Sequence, residues 1–306
     1  MNGLLLVDKH QGATSHDVVR QVRRLFGIRR VGHAGTLDPL ATGLLLVAVG
    51  EATRLVEFLM EGDKLYRATL KFGESTDSQD SEGTVLSRHS FAGVSLAAVE
   101  KACANLVGPI QQIPPMHSAL KRNGVPLYKL ARQGVVVERE PRRIQVHELR
   151  PGVYEPPFLS LTVRCSKGTY VRTLCHDLGQ ELGCGAHMTA LRRLASGSFK
   201  VEEALTLAAI QQLSPDERGG HLLPLRDALR DYPVLAVQQQ AWRRLAHGIP
   251  PALTDLAIAP QCEPGAIVLL TAAEQLLAIA RWAPERAHEQ RGDFELLKVF
   301  PDLLPG

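Results

Sequence analysis

Residues 32–43 read Gly-His-Ala-Gly-Thr-Leu-Asp-Pro-Leu-Ala-Thr-Gly and run straight into the apolar stretch Leu44 to Val49. Three glycines permit positive φ or close approach of a ligand, and Pro39 stiffens the backbone just after the loop's single carboxylate, Asp38. A rigid loop that holds one carboxylate over a sheet is a sensible design for an active site. On residue chemistry alone, a turn in which Asp38 bonds its own backbone fits equally well.

Commoner glycine-loop chemistries fail here. Gly32-x-x-Gly35 is not G-x-G-x-x-G, and no G-K-[ST] follows, so dinucleotides and nucleoside triphosphates lose their usual support. Neither a G-x-S-x-G elbow nor an H-E-x-x-H helix occurs. His147, His176 and His187 lack metal-ligand spacing, and the five cysteines form no C-x-x-C pair, which argues against a zinc site and a disulfide framework.

The elements that must hold this loop can be read from periodicity. A strand Leu4 to Val7 precedes a helix capped by Ser15, with Val18, Val19, Val22, Leu25 and Phe26 at helical spacing and Gly27 to close it. The loop is followed by a strand Leu44 to Val49, a helix from about Glu51 to Met60 and a strand Leu65 to Phe72. A helix capped by Ser95 ends at Gly108. From Pro114 the pattern reads strand, loop and a short helix Val125 to Gln133. Strands near Arg142 to Gly152 and Leu159 to Cys165 and a helix Thr169 to Leu182 come next. This mixture predicts an α+β fold with a large, mostly antiparallel sheet in residues 1–230. A proline-containing polar region, Ser214 to Gly220, separates it from a small β-rich second domain, 231–306.

At 306 residues, 45% hydrophobic and 22% charged, the chain is an ordinary globular composition. Its apolar runs are far shorter than the roughly 18 to 20 residues of a membrane span, and no signal peptide is recognisable, so a cytoplasmic location is expected. The net charge of +3 says little, but three basic groups stand out: Arg20, Arg23, Arg24, Arg29 and Arg30; Lys121, Arg122, Lys129 and Arg132; and Arg139, Arg142 and Arg143. Such groups suit phosphates, although each taken alone also fits a solvated face.

GHAGTLDPLATGLL is similar, residue for residue, to the catalytic motif of the TruB family of pseudouridine synthases. Four segments agree in order and spacing: Val7-Asp-Lys9-His-Gln-Gly12, Tyr66-Arg-Ala-Thr, Thr76-Asp-Ser-Gln-Asp80-Ser-Glu-Gly83 and Cys165-Ser-Lys-Gly-Thr-Tyr-Val-Arg172. Leu191-Arg-Arg-Leu194, followed by Gly197 and Phe199, completes the set, and the match covers about residues 3 to 200.

The resemblance implies isomerisation of one uridine in the T loop of tRNA, with no cofactor, because nothing is oxidised, reduced or transferred. It makes Asp38 the catalytic carboxylate, Arg172 the cation beside it and Tyr66 the tyrosine that stacks on the target base. From sequence alone, Arg172 also fits a phosphate contact and Tyr66 a core strand position. The family histidine that fills the gap left by the flipped-out base corresponds to His33. Leu191 or Leu194 would form the apolar side of the base pocket, and Lys9, Arg54, Asp80 and Tyr170 match positions in or near it. Residues 117–134, with His117 and Lys121, resemble the family's mobile thumb, and 231–306 resemble a PUA-type RNA-binding module. The partner implied is the tRNA T stem-loop, met by a monomer without a membrane, a guide RNA or an obligate protein partner. A guide-RNA-dependent dyskerin relative shares the G-x-x-G-T-L-D-P core, but this chain starts almost at the first motif and keeps Pro39-Leu-Ala-Thr-Gly43 and the Gly83 to Ile144 insert. An RNA-binding folding factor is the rival of another class. A glycosidase lacks its second carboxylate in the motif.

Overall fold

The computed structural model describes residues 1–122, 124–289 and 292–301. At its centre lies a 10-stranded sheet. Its strands run in the order Leu205–Thr206, Gly3–Lys9, Thr42–Val49, Ala186–Ser196, Lys64–Phe72, Phe158–Cys165, Arg142–Glu155 and Gly108–Gln112. Val31–Ala34 pairs with the end of Thr42–Val49, and Phe199–Lys200 with the end of Ala186–Ser196. Gly3–Lys9 with Leu205–Thr206 and Ala186–Ser196 with Thr42–Val49 are parallel; the other pairs are antiparallel. The α+β architecture with a large, mostly antiparallel sheet is therefore the one observed.

Local chemistry explains the elements nearest the loop. Lys64–Phe72 alternates strictly, with Lys64, Tyr66, Ala68, Leu70 and Phe72 all buried on one face. The helix Ser15–Phe26 begins one residue earlier than a Ser15 cap predicts: Thr14 is the cap, in a reciprocal capping box with Asp17. Ser15 is freed for another task, exchanging hydrogen bonds with the backbone of Leu37. Gly27 closes the helix in the left-handed region, as expected.

Several expectations need correction. The helix expected over 51–60 is a 3-10 segment, Gly50–Leu55, followed by one turn, Val56–Leu59. The strand expected from Pro114 lies earlier, at Gly108–Gln112, since the two prolines at 114 and 115 lack the N–H a ladder needs. Ala186–Ser196 was not foreseen as a strand, yet it is central; two bulges break its period-two pattern and mask it in the sequence. Ser214–Gly220 is not an open linker: Ser214 caps a short helix, Pro215–Gly220, whose Arg218 donates to the Leu25 carbonyl at 2.7 Å. Leu223 then pairs with Leu4 through two backbone hydrogen bonds of 2.9 Å.

A second, 4-stranded sheet follows in the order Val234–Ala236, Ile267–Ala272, Gln275–Trp282, Phe294–Val299. Its two faces are both apolar but have different partners. Val268, Leu270, Leu277 and Ala280 pack with Ala241 and Leu245 of the helix Gln239–Ala246. Leu269, Leu276, Ile279 and Phe300 join Leu4, Leu6, Leu44, Leu46 and Phe58 in one core. Arg54 stands at this junction, its guanidinium 4.6 Å from the Phe300 ring centre, and Lys298 pairs with Glu57 at 2.8 Å. Residues 290, 291 and 302–306 of the expected second domain lie outside the described residues. Among the described residues, no helix is long and apolar enough to cross a membrane.

A shared core makes the second sheet part of the first one's stability. A chain ending at Arg230 would expose Leu4, Leu6, Leu44 and Leu46. It is expected to melt at a lower temperature than the full chain and to bind ANS; an unchanged melting curve without dye binding would show that the two sheets fold independently.

Candidate active site

The Asp38 loop is fixed at alternate carbonyls. Arg193 Nη2 donates to the Gly35 carbonyl at 3.1 Å, Ser15 Oγ to that of Leu37 at 3.1 Å, and the Gly12 N–H to that of Pro39 at 2.8 Å. Lys9 Nζ lies below, donating to Ala13 at 2.7 Å, His10 at 3.0 Å and Pro39 at 3.5 Å. At the loop's end, Gly43 has φ +98, and a Cβ there would come 2.2 Å from the Arg193 carbonyl oxygen. Only glycine meets both demands, which lets Thr42–Val49 lie directly against Arg192 and Arg193.

Arg172, the second residue of the helix Val171–Glu181, carries the charge arrangement. Its Nη2 donates to Asp38 Oδ2 at 2.7 Å and its Nη1 to Asp80 Oδ2 at 3.1 Å. The side chains of Arg172 and Asp80 are 6% and 4% exposed, whereas that of Asp38 is 34% exposed, so the shared guanidinium presents one carboxylate to a cavity and hides the other. Asp80 is itself oriented by the Ser78 hydroxyl at 2.6 Å and the Glu82 N–H at 3.1 Å. Burial pushes the Asp38 carboxyl up from its ordinary range, and the Arg172 guanidinium opposes that shift.

The cavity, of about 320 Å³, is lined by Asp38, Tyr66, Tyr170, Arg172 and Leu191, together with Lys64 and Arg193. Tyr66 is 9% exposed; burial raises its hydroxyl, and the Arg193 charge works against the rise. Tyr170 caps the Val171–Glu181 helix and is clamped by the buried Gln112 amide, which donates to its carbonyl at 3.1 Å and accepts its N–H at 2.8 Å. Five of the residues expected at the site thus converge.

The rest stand elsewhere. Leu194 packs into the core shared by the two sheets, on the face opposite Leu191. Lys9 is fully buried and Asp80 nearly so, the first bonded to loop carbonyls and the second to Arg172. Arg54 belongs to the junction described above. His33 lies on Val31–Ala34, half-buried, edge-on to His16 at 5.5 Å. Burial, then the His16 and Arg193 charges, bring it down to about 4, so its ring is neutral near pH 7. His117 is half-buried at the start of the arm, whose next residues, Ser118 to Leu120, line the cavity. Lys121 is exposed on a hairpin with Val125–Pro126, and Asn123 lies outside the described residues.

Sequence reasoning missed Lys64, Arg193, Ser15 as a loop anchor, and Gln112. Arg193 sits inside the Leu191-Arg-Arg-Leu194 motif and Lys64 two residues before Tyr66 on the same strand face, so both had a positional signal. Ser15 and Gln112 had none. Among the described residues, no group of three or more His, Cys, Asp or Glu side chains is gathered as a metal-ligand set.

A carboxylate presented by a buried arginine at the floor of a cavity, on this sheet order, points to the pseudouridylate synthases. The chain belongs to the TruB family of pseudouridylate synthases. The family's N-terminal domain matches residues 23–171, and the tRNA pseudouridylate synthase B C-terminal domain matches 172–232. With the family comes the enzyme class, an isomerase. The chain is 55% identical over 302 residues to tRNA pseudouridine synthase B of Syntrophotalea carbinolica, covering 99% of both proteins. It is 45% identical over 304 residues to the protein of that name from Geotalea uraniireducens, covering 97% of this chain and 95% of the relative. A chain in the crystal structure of a Cbf5-Nop10-Gar1 complex superimposes with a TM-score of 0.76 at 26% identity, over 99% of this chain and 87% of that one.

Lys9 offers a test of the loop's support. Burial lowers its pKa from 10.5 to about 8, so between those values the folded chain binds fewer protons than the unfolded one. Stability is therefore penalised below about pH 8 and recovers as pH rises toward 10.5. Urea titrations should show a larger rise in unfolding free energy from pH 8 to 10 for wild type than for Lys9→Met; equal rises would remove Lys9 as the source.

Proposed function

We propose that this enzyme converts uridine to pseudouridine at position 55 in the T loop of tRNA. It acts in the cytoplasm as a single chain on bare RNA, without guide RNA, protein partner or cofactor. The observation that carries the reading is the Asp38–Arg172 ion pair at 2.7 Å, open to the cavity on the carboxylate side and buried on the guanidinium side. The relatives named tRNA pseudouridine synthase B support the substrate, since they match over nearly the whole chain.

In this reading the target base is swung out of the T loop into the cavity, because a carboxylate cannot reach the ribose of a stacked nucleotide. Asp38 acts on the nucleotide as its C1′–N1 bond breaks, either by attack or by assisting departure and recapture of the base. The base turns, C1′ bonds to C5, C5 gives up its proton and N1 gains one, so substrate and product are isomers. Arg172 keeps the carboxylate ionised in a site whose burial disfavours charge. Tyr66 stacks on the base and is placed to move a proton, Leu191 supplies an apolar wall, and the neutral ring of His33 fills the space left in the RNA. Residues 117–134 close over the RNA as a thumb, and 231–306 extend the binding surface as a PUA-type module.

The test is tritium release from a bare T-stem-loop RNA labelled at uracil C5. Wild type is expected to release tritium and Asp38→Asn to release none, while RNA affinity changes by less than about tenfold, or about 1.4 kcal/mol. Release by the variant would remove Asp38 from the chemistry, and no release by folded wild type would favour a guide-dependent or binding-only protein. Arg172→Ala should slow the single-turnover rate more than it weakens binding; an unchanged rate would contradict its pairing with Asp38.

A further inference from the structure

Arg193 is among the largest fully buried side chains of the protein, at 1% exposure, and among the described residues no carboxylate lies within ion-pair distance of it. A buried guanidinium without a counter-charge is costly even when hydrogen-bonded. Its bonds go to neutral acceptors: Nε donates to the Leu44 carbonyl at 2.6 Å and Nη2 to that of Gly35 at 3.1 Å. Those carbonyls flank the Asp38 loop, one on each side. Nη1 lies 3.4 Å from where a Gly35 Cβ would stand, and the side chain forms part of the cavity wall.

A residue needed only to tie two carbonyls together could be a neutral amide of smaller desolvation cost. The charge acts on the cavity instead. The side chain lines the cavity together with Asp38, Lys64 and Tyr66, and its charge opposes the rise that burial gives the Tyr66 hydroxyl. The bulge between Arg193 and Ala195 interrupts the pairing with Lys64–Phe72 beside Tyr66, whose register partner is Arg193 itself, and the pairing resumes at Ala195 and Leu65.

We propose that Arg193 is a positioning residue for the isomerisation, holding the Asp38 loop at Gly35 and Leu44 while pairing with Tyr66 on the neighbouring strand, so that carboxylate and tyrosine keep one mutual geometry around the base. This inference rests on the function proposed above. A guanidinium suits the task because its fork bonds two carbonyls at once and still offers a charged edge.

The experiment uses the full chain and the T-stem-loop RNA, with Arg193→Met, Arg193→Lys, Tyr66→Phe and the double variant Arg193→Met/Tyr66→Phe. Single-turnover rate, RNA affinity and melting temperature are measured for each. Arg193→Met should remain folded and lose about 100-fold in single-turnover rate, the scale of a misplaced reacting group, with affinity near that of wild type. Arg193→Lys keeps the charge but not the fork, and should recover part of the loss. Added to Tyr66→Phe, Arg193→Met should cost much less than it does alone, because both changes act on one geometry. A wild-type rate in Arg193→Met, a fully additive double variant or a loss confined to affinity would overturn the proposal. Failure of Arg193→Lys to fold would also overturn it, by making the residue a scaffold element. Inactive folded wild type would refute the functional reading itself, whereas active wild type with an indifferent Arg193 would refute this inference alone.

Discussion

The site depends on one interaction: the Asp38 carboxylate, exposed to the cavity, is held by the buried Arg172 guanidinium that it shares with Asp80. Removing Asp38 from bulk water favours its protonated form, and the shared Arg172 guanidinium resists that at 2.7 Å. Sharing also sets direction. Asp80 is buried and gripped by Ser78 and Glu82, so it can only hold the arginine in place, leaving Asp38 as the exposed partner. One cation between two carboxylates leaves an unbalanced negative charge, which the nearby Lys9 partly offsets.

The fold meets this need by bringing distant segments together at the central strands of one sheet. Asp38 comes from the loop before Thr42–Val49, Tyr66 from Lys64–Phe72, and Arg172 from the helix after Phe158–Cys165. Ala186–Ser196 lies between the strands that carry Asp38 and Tyr66, so it fixes their separation and adds Leu191 and Arg193 to the wall. The second sheet backs the far side of Gly3–Lys9 and Thr42–Val49, sharing their core through Leu4, Leu6, Leu44 and Leu46.

What the sequence made legible follows physical lines. Strands with clean alternation or uniform burial, such as Lys64–Phe72 and Thr42–Val49, announce themselves, as does a helix with a strong apolar stripe closed by Gly27. Ala186–Ser196 does not, because its bulges shift the side-chain period and place Arg193 inward where a reader expects a solvated charge. The motif around Asp38 made the site's centre recognisable, but not its supports. Ser15 reads as a helix cap, and only the fold shows it bonded to Leu37; Gln112 reads as an ordinary polar residue until Tyr170 lies against it. Leu194 belongs to a motif segment and Arg54 matches a family position, yet neither lines the cavity, since nearby strand residues face opposite sides and a turn sets a side chain's direction independently of its neighbours.

The way the buried cations are satisfied links these observations. Lys9, Lys64 and Arg193 all donate chiefly to backbone carbonyls: Lys9 to His10 and Ala13, Lys64 to Met60 and Gly62, Arg193 to Gly35 and Leu44. A carbonyl fills a donor's hydrogen-bonding need without cancelling its charge, unlike a carboxylate. The positive field therefore remains available to the cavity that Asp38 faces. Its cost is visible in the lysines themselves, both brought down to about 8 because burial is not matched by a paired anion. Of these buried cations, Arg172 alone is paired with carboxylates, Asp38 and Asp80. The division between carbonyl-held and carboxylate-held cations thus separates residues that shape the field from the one that presents Asp38 to the cavity.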